Sequence, residues 1–326
     1  MPRIAQLDGL RAIAVMLVLV SHTLHESALY ALGQTGVRLF FVLSGYLITR
    51  ILFEQQGQPL GPTLQTFYIR RSLRIFPLYY LALLVCCFVA WPALQRTWPW
   101  MITYTSNIQL LVDPDIRQGA LSHFWSLAVE EQFYLIWPML MLAVPHRHTL
   151  KVILGAVYLA VLVRAFNTWL QWHSVWFQTP AQFDSLGMGA LLAYLHHRQL
   201  PMRSDLGVLL KLLVLTLMMK AIPLPAFECV TEAMFHAALV DYSMNPRHIQ
   251  WIALLRTRPF QFVGTLSYGI YVWHGILAHQ PFVGSFGVQK WLLVTISSIG
   301  AAWCSWTLIE KPINDLRLRF HYSSGS

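Results

Sequence analysis

A cation and a titratable base stand at the two ends of one apolar run near the start of the chain. Arg11 and His22 are eleven residues apart, and no charged residue lies between them. Eleven residues is close to three turns of an α-helix, so both side chains lie on one helix face, about 16 Å apart along the axis. Ionisable groups in an apolar helix tend to mark a functional site in a membrane. The alternative is an interfacial arginine and a hydrogen-bonded core histidine.

Polar residues of three other apolar segments are predicted to reach the depth of His22. Ser44, Glu130 and Asp184 each fall in the outer half of a predicted span, when depth is counted at about 1.5 Å per residue. Imidazole suits a general base because its pKa lies near neutral pH. We therefore predict His22 as the catalytic base, with Glu130 or Asp184 fixing its tautomer. Ser44 is predicted to stabilise an oxyanion, and an acyl-serine route is the alternative.

Both carboxylates also have a structural interpretation. Glu130 could be a buried carboxylate bonded to neighbouring hydroxyls or to an arginine, and Asp184 could be a helix N-cap, a position that favours aspartate. Glu228, Glu232 and His236 follow one another at intervals of four residues. Their stripe could line an acceptor groove, bind a metal weakly or face water.

Three arginines lie together where the third apolar segment begins. Arg70 and Arg74 are one helical turn apart, with Arg71 between them. Guanidinium groups bind phosphates well because their fork contacts two oxygens. With Arg11, they are predicted to bind the phosphorylated head of a molecule whose thin arm reaches His22, and acyl-coenzyme A has that shape. The alternative is that they orient the span and contact anionic lipid.

The elements that must position these residues are membrane helices. The chain has 326 residues, of which 56% are hydrophobic and 11% charged, whereas about 45–50% and about 25% are usual. Apolar runs that can cross about 30 Å of hydrocarbon recur along it. We predict an all-α transmembrane bundle in one domain, residues 1–320, and set residues 321–326 apart as a tail because Ser-Ser-Gly-Ser resembles an expression linker. The ten predicted spans are residues 9–28, 36–54, 75–94, 122–144, 150–170, 183–197, 206–221, 225–242, 260–284 and 288–309.

The net charge of +9 is distributed in a way that favours membrane topology over nucleic-acid binding. Basic residues concentrate in alternate loops, which is the positive-inside pattern. This places both termini in the cytoplasm and predicts membrane lipid, not nucleic acid, as a partner. The four cysteines lack metal-ligand spacing, so we predict no metal.

Six phrases occur in a definite order along the chain. They are LDGLRA through His22, GxxGV with LFFVLSGYLI at 33–48, FYxRRxxRIxP at 67–77, WSLxxEExFY at 125–134, GxLSYxIYxWH at 264–274 and ExP at 310–312. From residue 3 to about 312 the sequence resembles the acyltransferase-3 family of membrane acyltransferases. The resemblance implies ten spans and transfer of acyl groups, often acetyl, from acyl-coenzyme A to hydroxyls of cell-surface glycans or other acceptors.

The resemblance also implies roles for particular residues. Arg11 and His22 match the family's arginine-x10-histidine pair, and the arginines at 70–74 match its arginine cluster. Arg38 departs from the pattern, because the family usually has Asp there. Five further polar residues are predicted to line a cavity in the helix bundle, namely Asp8, Tyr46, Tyr134, Tyr268 and His274. For His274, the alternative is a hydrogen-bonded core histidine.

We therefore predict a membrane-bound O-acyltransferase of the bacterial cytoplasmic (inner) membrane. Its co-substrate is acyl-coenzyme A, with acetyl as the favoured acyl group, and its acceptor is a hydroxyl of a cell-surface or lipid-linked glycan. The rival function is a transporter or proton-coupled channel, since intramembrane His, Glu and Asp also form proton relays. A non-catalytic membrane scaffold is the third alternative.

Overall fold

The structure is a computed structural model, and it describes residues 3–24, 27–113, 115–116, 118–200, 202, 204–220, 222, 225–280, 287–320 and 322. Over these residues the chain is helical and contains no β-strand. The all-α prediction is therefore confirmed for the part that the structure describes. Apart from Tyr322, the predicted tail lies outside the described residues.

Fifteen α-helices follow one another along the described chain. They are α1 Ala5–Leu24, α2 Ser27–Glu54, α3 Leu60–Val89, α4 Trp91–Leu94, α5 Trp98–Ile102, α6 Ser106–Val112, α7 Phe124–Ala143, α8 Thr149–Trp169, α9 Phe183–His197, α10 Leu206–Lys220, α11 Pro225–Met244, α12 Ile249–Leu255, α13 Arg258–Ala278, α14 Val288–Ser305 and α15 Lys311–Leu316.

Several helices are long and apolar enough to cross a bilayer, as expected for an integral membrane protein. Among the described residues, five stretches meet this condition by length and composition: Ala5–Leu24, Ala31–Glu54, Leu60–Val89, His146–Trp169 and Val288–Leu316. Helices α9 and α10 have 15 residues each, which is about 22 Å and shorter than the hydrocarbon core of about 30 Å. The count of ten spans and the cytoplasmic location of both termini stay predictions.

The observed helices differ from the predicted spans mainly at their ends. Helix α3 begins at Leu60, fifteen residues before the predicted start of the third span, so that the three arginines lie within the helix. Long basic side chains allow this because they reach along the helix toward water. The predicted ninth span runs to residue 284, but α13 ends at Ala278, and residues 281–284 lie outside the described part.

The helices pack into two compact units. The first comprises Met1–Arg11, Val37–Gln56 and Val129–Gln261, and the second comprises Ala12–Gly36, Gly57–Ala128 and Phe262–Ser326. Helices α1, α2, α7 and α13 therefore contribute residues to both units. That residues 1–320 form one domain stays a prediction.

In the first unit, glycines let α2 and α9 approach closely. A Cβ atom on Gly45 would lie 2.0 Å from the carbonyl oxygen of Leu186, and one on Gly189 would lie 2.0 Å from that of Val42. Small residues at helix contacts in membranes have this effect. The close approach holds the polar residues of α2 near those at the start of α9.

In the second unit, a glycine of α13 makes room for a histidine. A Cβ atom on Gly275 would lie 2.2 Å from Nδ1 of His123, the residue that precedes α7. Six residues earlier on the same helix, a Cβ atom on Gly269 would lie 2.9 Å from Cβ of Ala302 on α14. Helix α13 is therefore packed tightly on two sides, which limits the freedom of its buried side chains.

Candidate active site

The candidate base His22 lies in the second unit, near the end of α1. Its side chain is half-buried, and its Nδ1 atom is 3.1 Å from Nε2 of His274 on α13. The two rings are 5.0 Å apart between centroids and are tilted by 32°. The structure thus brings together the predicted base and one of the predicted lining residues, which are 252 positions apart in the chain.

A third imidazole, that of His123, packs against the ring of His274. His123 is buried, and its ring centroid is 4.6 Å from that of His274. Its Nε2 atom is 3.2 Å from the carbonyl oxygen of Val272. The sequence analysis missed His123. The signal that could have found it is its position directly before the helix that carries Glu130, beside Trp125-Ser126 of a family phrase.

Tyrosine hydroxyls of α13 connect this helix to its neighbours in the second unit. The Tyr271 hydroxyl lies 2.5 Å from Ser126 Oγ and donates to the carbonyl oxygen of His123 at 3.1 Å. Tyr268 donates to the carbonyl oxygen of Ile75 on α3 at 2.8 Å. Tyr268, predicted to line the cavity, therefore links two helices through its hydroxyl.

In the first unit, the predicted catalytic residues Ser44 and Glu130 are in direct contact. Ser44 Oγ donates to Glu130 Oε1 at 2.6 Å, and the Tyr134 hydroxyl donates to Ser44 Oγ at 3.0 Å. A serine hydroxyl has a single hydrogen, so Ser44 cannot donate to an oxyanion while it donates to the carboxylate. The arrangement places a carboxylate where it could accept the proton of Ser44.

Asp184 lies at the centre of a buried ion network, also in the first unit. Its Oδ2 atom accepts from Arg38 Nη2 and from Arg164 Nε, each at 2.9 Å, and its side chain is fully buried. Its Oδ1 atom accepts from the backbone N–H of Ser185 at 2.5 Å. Asp184 is the second residue of α9, so it lies inside the first turn and is not the N-cap. Its predicted role as the partner of His22 stays a prediction.

One residue of the stripe formed by Glu228, Glu232 and His236 belongs to the same network. Arg38 Nη1 donates to Glu232 Oε2 at 2.9 Å and to the carbonyl oxygen of Cys229 at 3.2 Å. His236 is buried, whereas Glu228 lies 3.9 Å from Lys220 Nζ. In the described part of the chain, no group of three or more His, Cys, Asp or Glu side chains could hold a metal ion.

Trp176 packs against both arginines of this network. Its ring centroid lies 5.4 Å from the guanidinium carbon of Arg38 and 5.1 Å from that of Arg164. Cations placed over an indole ring gain electrostatic stabilisation, more so when they are removed from water. Arg38 departs from the family pattern, and its positive charge is compensated by the carboxylates of Asp184 and Glu232 and by the Trp176 ring.

Two further predicted residues of the first unit contact other polar groups. Asp8 contacts Arg3, and its Oδ1 atom is 3.4 Å from Arg11 Nη1. The Tyr46 hydroxyl is 3.2 Å from Nδ1 of His196, whose Nε2 is 2.7 Å from the Asp241 carboxylate. Arg11, predicted to bind the donor, therefore has a carboxylate within reach.

Three of the four predicted phosphate-binding arginines lie on α3 in the second unit, where Phe320 and Tyr322 contact Arg70. Arg70 donates to the carbonyl oxygen of Phe320 at 2.9 Å, and its guanidinium carbon lies 5.3 Å from the Tyr322 ring centroid. Arg71 and Arg74 are half-buried. Burial, with Arg70 and Arg71 nearby, lowers the pKa of Arg317 below its ordinary value. Arg317 adds a cation that the sequence analysis did not assign to this cluster.

Comparison with known proteins gives a consistent result. Residues 4–310 match the acyltransferase-3 family model, described as an acyltransferase domain. The chain is 30% identical to "Putative peptidoglycan O-acetyltransferase YrhL" of Bacillus subtilis, covering 94% of this chain and 54% of that protein.

Two further relatives carry similar names. The chain is 27% identical to O-acetyltransferase OatA of Staphylococcus aureus, covering 94% of this chain and 56% of that protein. It is also 27% identical to peptidoglycan O-acetyltransferase OatA of Listeria monocytogenes, covering 95% and 56%. The chain thus spans about half the length of these relatives, and no solved structure matches it. Because the family model covers nearly the whole sequence, this chain belongs to the acyltransferase-3 family of integral membrane acyltransferases.

Proposed function

We propose that this protein transfers an acetyl group from cytoplasmic acetyl-coenzyme A to a hydroxyl of peptidoglycan, in the bacterial cytoplasmic membrane. The observation that carries the proposal is the family match over residues 4–310, which includes Arg11 and His22. The acceptor class is taken from the names of the relatives. The donor class is supported by Arg70, Arg71 and Arg74 in the first half of α3, whose guanidinium groups suit phosphates.

In this proposal His22 is the general base. It takes the proton of the acceptor hydroxyl while that oxygen attacks the thioester carbonyl. The tetrahedral intermediate then collapses: the carbon–sulfur bond breaks, the coenzyme A sulfur leaves, and the imidazolium returns the proton to it. One ester bond forms, one thioester bond breaks, and His22 ends in its starting state.

The contact between Ser44 and Glu130 supports an alternative route through the same donor. Ser44 would attack the thioester while Glu130 accepts its proton and passes it to the leaving coenzyme A sulfur, which gives an acetyl-serine and free coenzyme A. An acceptor hydroxyl would then attack the acetyl-serine, breaking its ester bond, and its proton would pass through Glu130 to Ser44 Oγ. The 2.6 Å hydrogen bond between Ser44 and Glu130 supports this route as an alternative to direct transfer.

The test is acetyl transfer by the full chain in lipid nanodiscs. Purified protein would be given acetyl-coenzyme A and soluble peptidoglycan fragments, and release of coenzyme A and acetylation of the fragments would be measured. We expect His22→Ala to lower the rate of acetyl transfer by at least about 100-fold, because a general base usually contributes that much. His146→Ala is the matched control, because His146 is exposed at the turn before α8.

Two outcomes would contradict the proposal. Full transfer by a folded His22→Ala protein would remove the histidine from the chemistry. Substrate flux into vesicles without coenzyme A, together with no acetyl transfer, would favour a transporter.

A further inference from the structure

The contacts of His274 define which nitrogen of His22 carries a proton. We propose that His274 is a positioning residue: its neutral Nε2 accepts a hydrogen bond from Nδ1–H of His22 and leaves Nε2 of His22 as the basic nitrogen. The inference rests on the proposed function, in which His22 is the base. It adds the partner that holds the base in its working tautomer.

His274 carries its ring hydrogen on Nδ1. Its Nδ1 atom lies 2.5 Å from the backbone carbonyl oxygen of Tyr271. A carbonyl oxygen only accepts hydrogen bonds, so Nδ1 of His274 must carry the hydrogen. In a neutral imidazole the other nitrogen is then an acceptor. Nε2 of His274 therefore presents a lone pair toward His22.

The surroundings of His274 favour its neutral form. The ring is fully buried, and its aromatic neighbours include the imidazoles of His22 and His123 and the ring of Tyr271. Burial of a cation without a compensating anion costs much more than burial of a neutral polar group. The neutral form of His274 is thus favoured, and Nδ1 of His22, 3.1 Å away, must act as the donor.

Neighbouring groups hold the ring of His274 in place. His123 packs against His274, and its Nε2 donates to the carbonyl oxygen of Val272, one residue beyond Tyr271. Gly275 permits the approach, because any Cβ there would meet the His123 ring. His123 and the Tyr271 carbonyl thereby restrict the ring of His274 from two sides. A restricted acceptor holds its donor in one orientation, which is what a catalytic base requires.

The arrangement performs the task that an aspartate performs in a hydrolase triad, without introducing a negative charge. The aspartate holds the histidine in one tautomer and stabilises the imidazolium. When His22 becomes protonated at Nε2, its hydrogen bond to His274 becomes charge-assisted and stronger. A neutral partner also costs less than a carboxylate to bury within a membrane protein.

The test measures the tautomer directly. The protein, labelled with ¹⁵N-histidine and held in nanodiscs at a pH where its imidazoles are neutral, would be studied by NMR, because protonated and unprotonated ring nitrogens have distinct shifts. The His22 signals are identified by their loss in His22→Ala. We expect Nδ1 of His22 to be protonated in the wild-type protein. We expect the same tautomer in His274→Gln, whose side-chain oxygen can accept, and a mixture in His274→Leu.

Kinetics provide the second readout. His274→Leu is expected to lower kcat by about 10- to 100-fold, which is less than the loss of the base itself, about 100-fold or more, while KM for acetyl-coenzyme A stays unchanged. His274→Gln should recover most of kcat. His279→Leu is the control, because His279 is exposed just beyond the end of α13.

Some results would overturn the inference. An unprotonated Nδ1 of His22 in the wild-type protein would do so, and so would an unchanged tautomer in folded His274→Leu. If His274→Leu does not fold, the spectra of the wild-type protein and of His274→Gln still show whether Nδ1 of His22 is protonated. A wild-type protein that shows the expected tautomer but transfers no acetyl group would refute the proposed function and leave the hydrogen-bond assignment standing.

Discussion

Replacing Asp184 by Asn tests whether this residue is structural or catalytic. The four charged groups of its network are Arg38, Arg164, Asp184 and Glu232, two positive and two negative. Asp184→Asn therefore leaves one uncompensated positive charge in a buried site. Removing one partner of a buried ion pair typically costs about 3–5 kcal/mol of folding free energy. At about 2–4 °C per kcal/mol, the midpoint of thermal unfolding should fall by about 6–20 °C.

The assay is thermal unfolding of the full chain in detergent, with acetyl transfer by the folded fraction measured beside it. Glu232→Gln is a milder comparison, because Glu232 accepts from one arginine whereas Asp184 accepts from two. Asp184→Asn combined with Arg164→Gln restores the balance of charge and should recover part of the lost stability. An unchanged midpoint together with complete loss of transfer would refute the structural interpretation and assign Asp184 to the chemistry.

Three further predictions concern helix packing, the route of transfer and the donor site. Gly45→Ala places a Cβ against α9 and should lower the free energy of unfolding by about 1–3 kcal/mol through overpacking. The control is Gly155→Ala on α8, where the space around the Cβ is open, and it should be neutral or slightly stabilising. Thermal unfolding measures both variants. If the proton of the acceptor hydroxyl passes directly to His22, Ser44→Ala should keep the rate of acetyl transfer within about threefold of the wild-type rate. If an acetyl-serine forms, the same variant should lower the rate by at least about 100-fold. Rapid-quench mass spectrometry of the wild-type protein would detect the acetyl-serine. Arg70→Ala should raise KM for acetyl-coenzyme A by about 10-fold, the loss of one charge-assisted phosphate contact; an unchanged KM would exclude Arg70 from the donor site.

Much of the local architecture could be predicted from the sequence. The apolar run that joins Arg11 to His22 forms the single helix α1, as expected from its length and composition. The arginines at 70–74 lie on one helix for the same reason. Such features follow from helical periodicity, which relates residues three or four positions apart.

The partners of the buried polar residues could not be predicted in this way. Depth counted along each span favoured Asp184 or Glu130 as the partner of His22, and that pairing stays a prediction because depth does not say which helix faces which. In the structure, Glu130 bonds to Ser44, Asp184 bonds to two arginines, and a histidine of α13 contacts His22. His123 lies within the predicted span of residues 122–144, but it was missed because spacing within that segment does not relate it to His274 on α13, which its ring contacts.

By itself, the sequence determined that the chain is helical, that it has helices apolar enough for a membrane, and that it carries the acyltransferase-3 phrases. These properties depend on composition and on spacing within single segments. Only the tertiary structure decided that Arg38 is neutralised by residues of α9 and α11, and that His22 meets His274 across 252 positions. The physical reason is that hydrogen bonds act over about 3 Å, so partners are chosen by the packing of helices, which no single segment encodes.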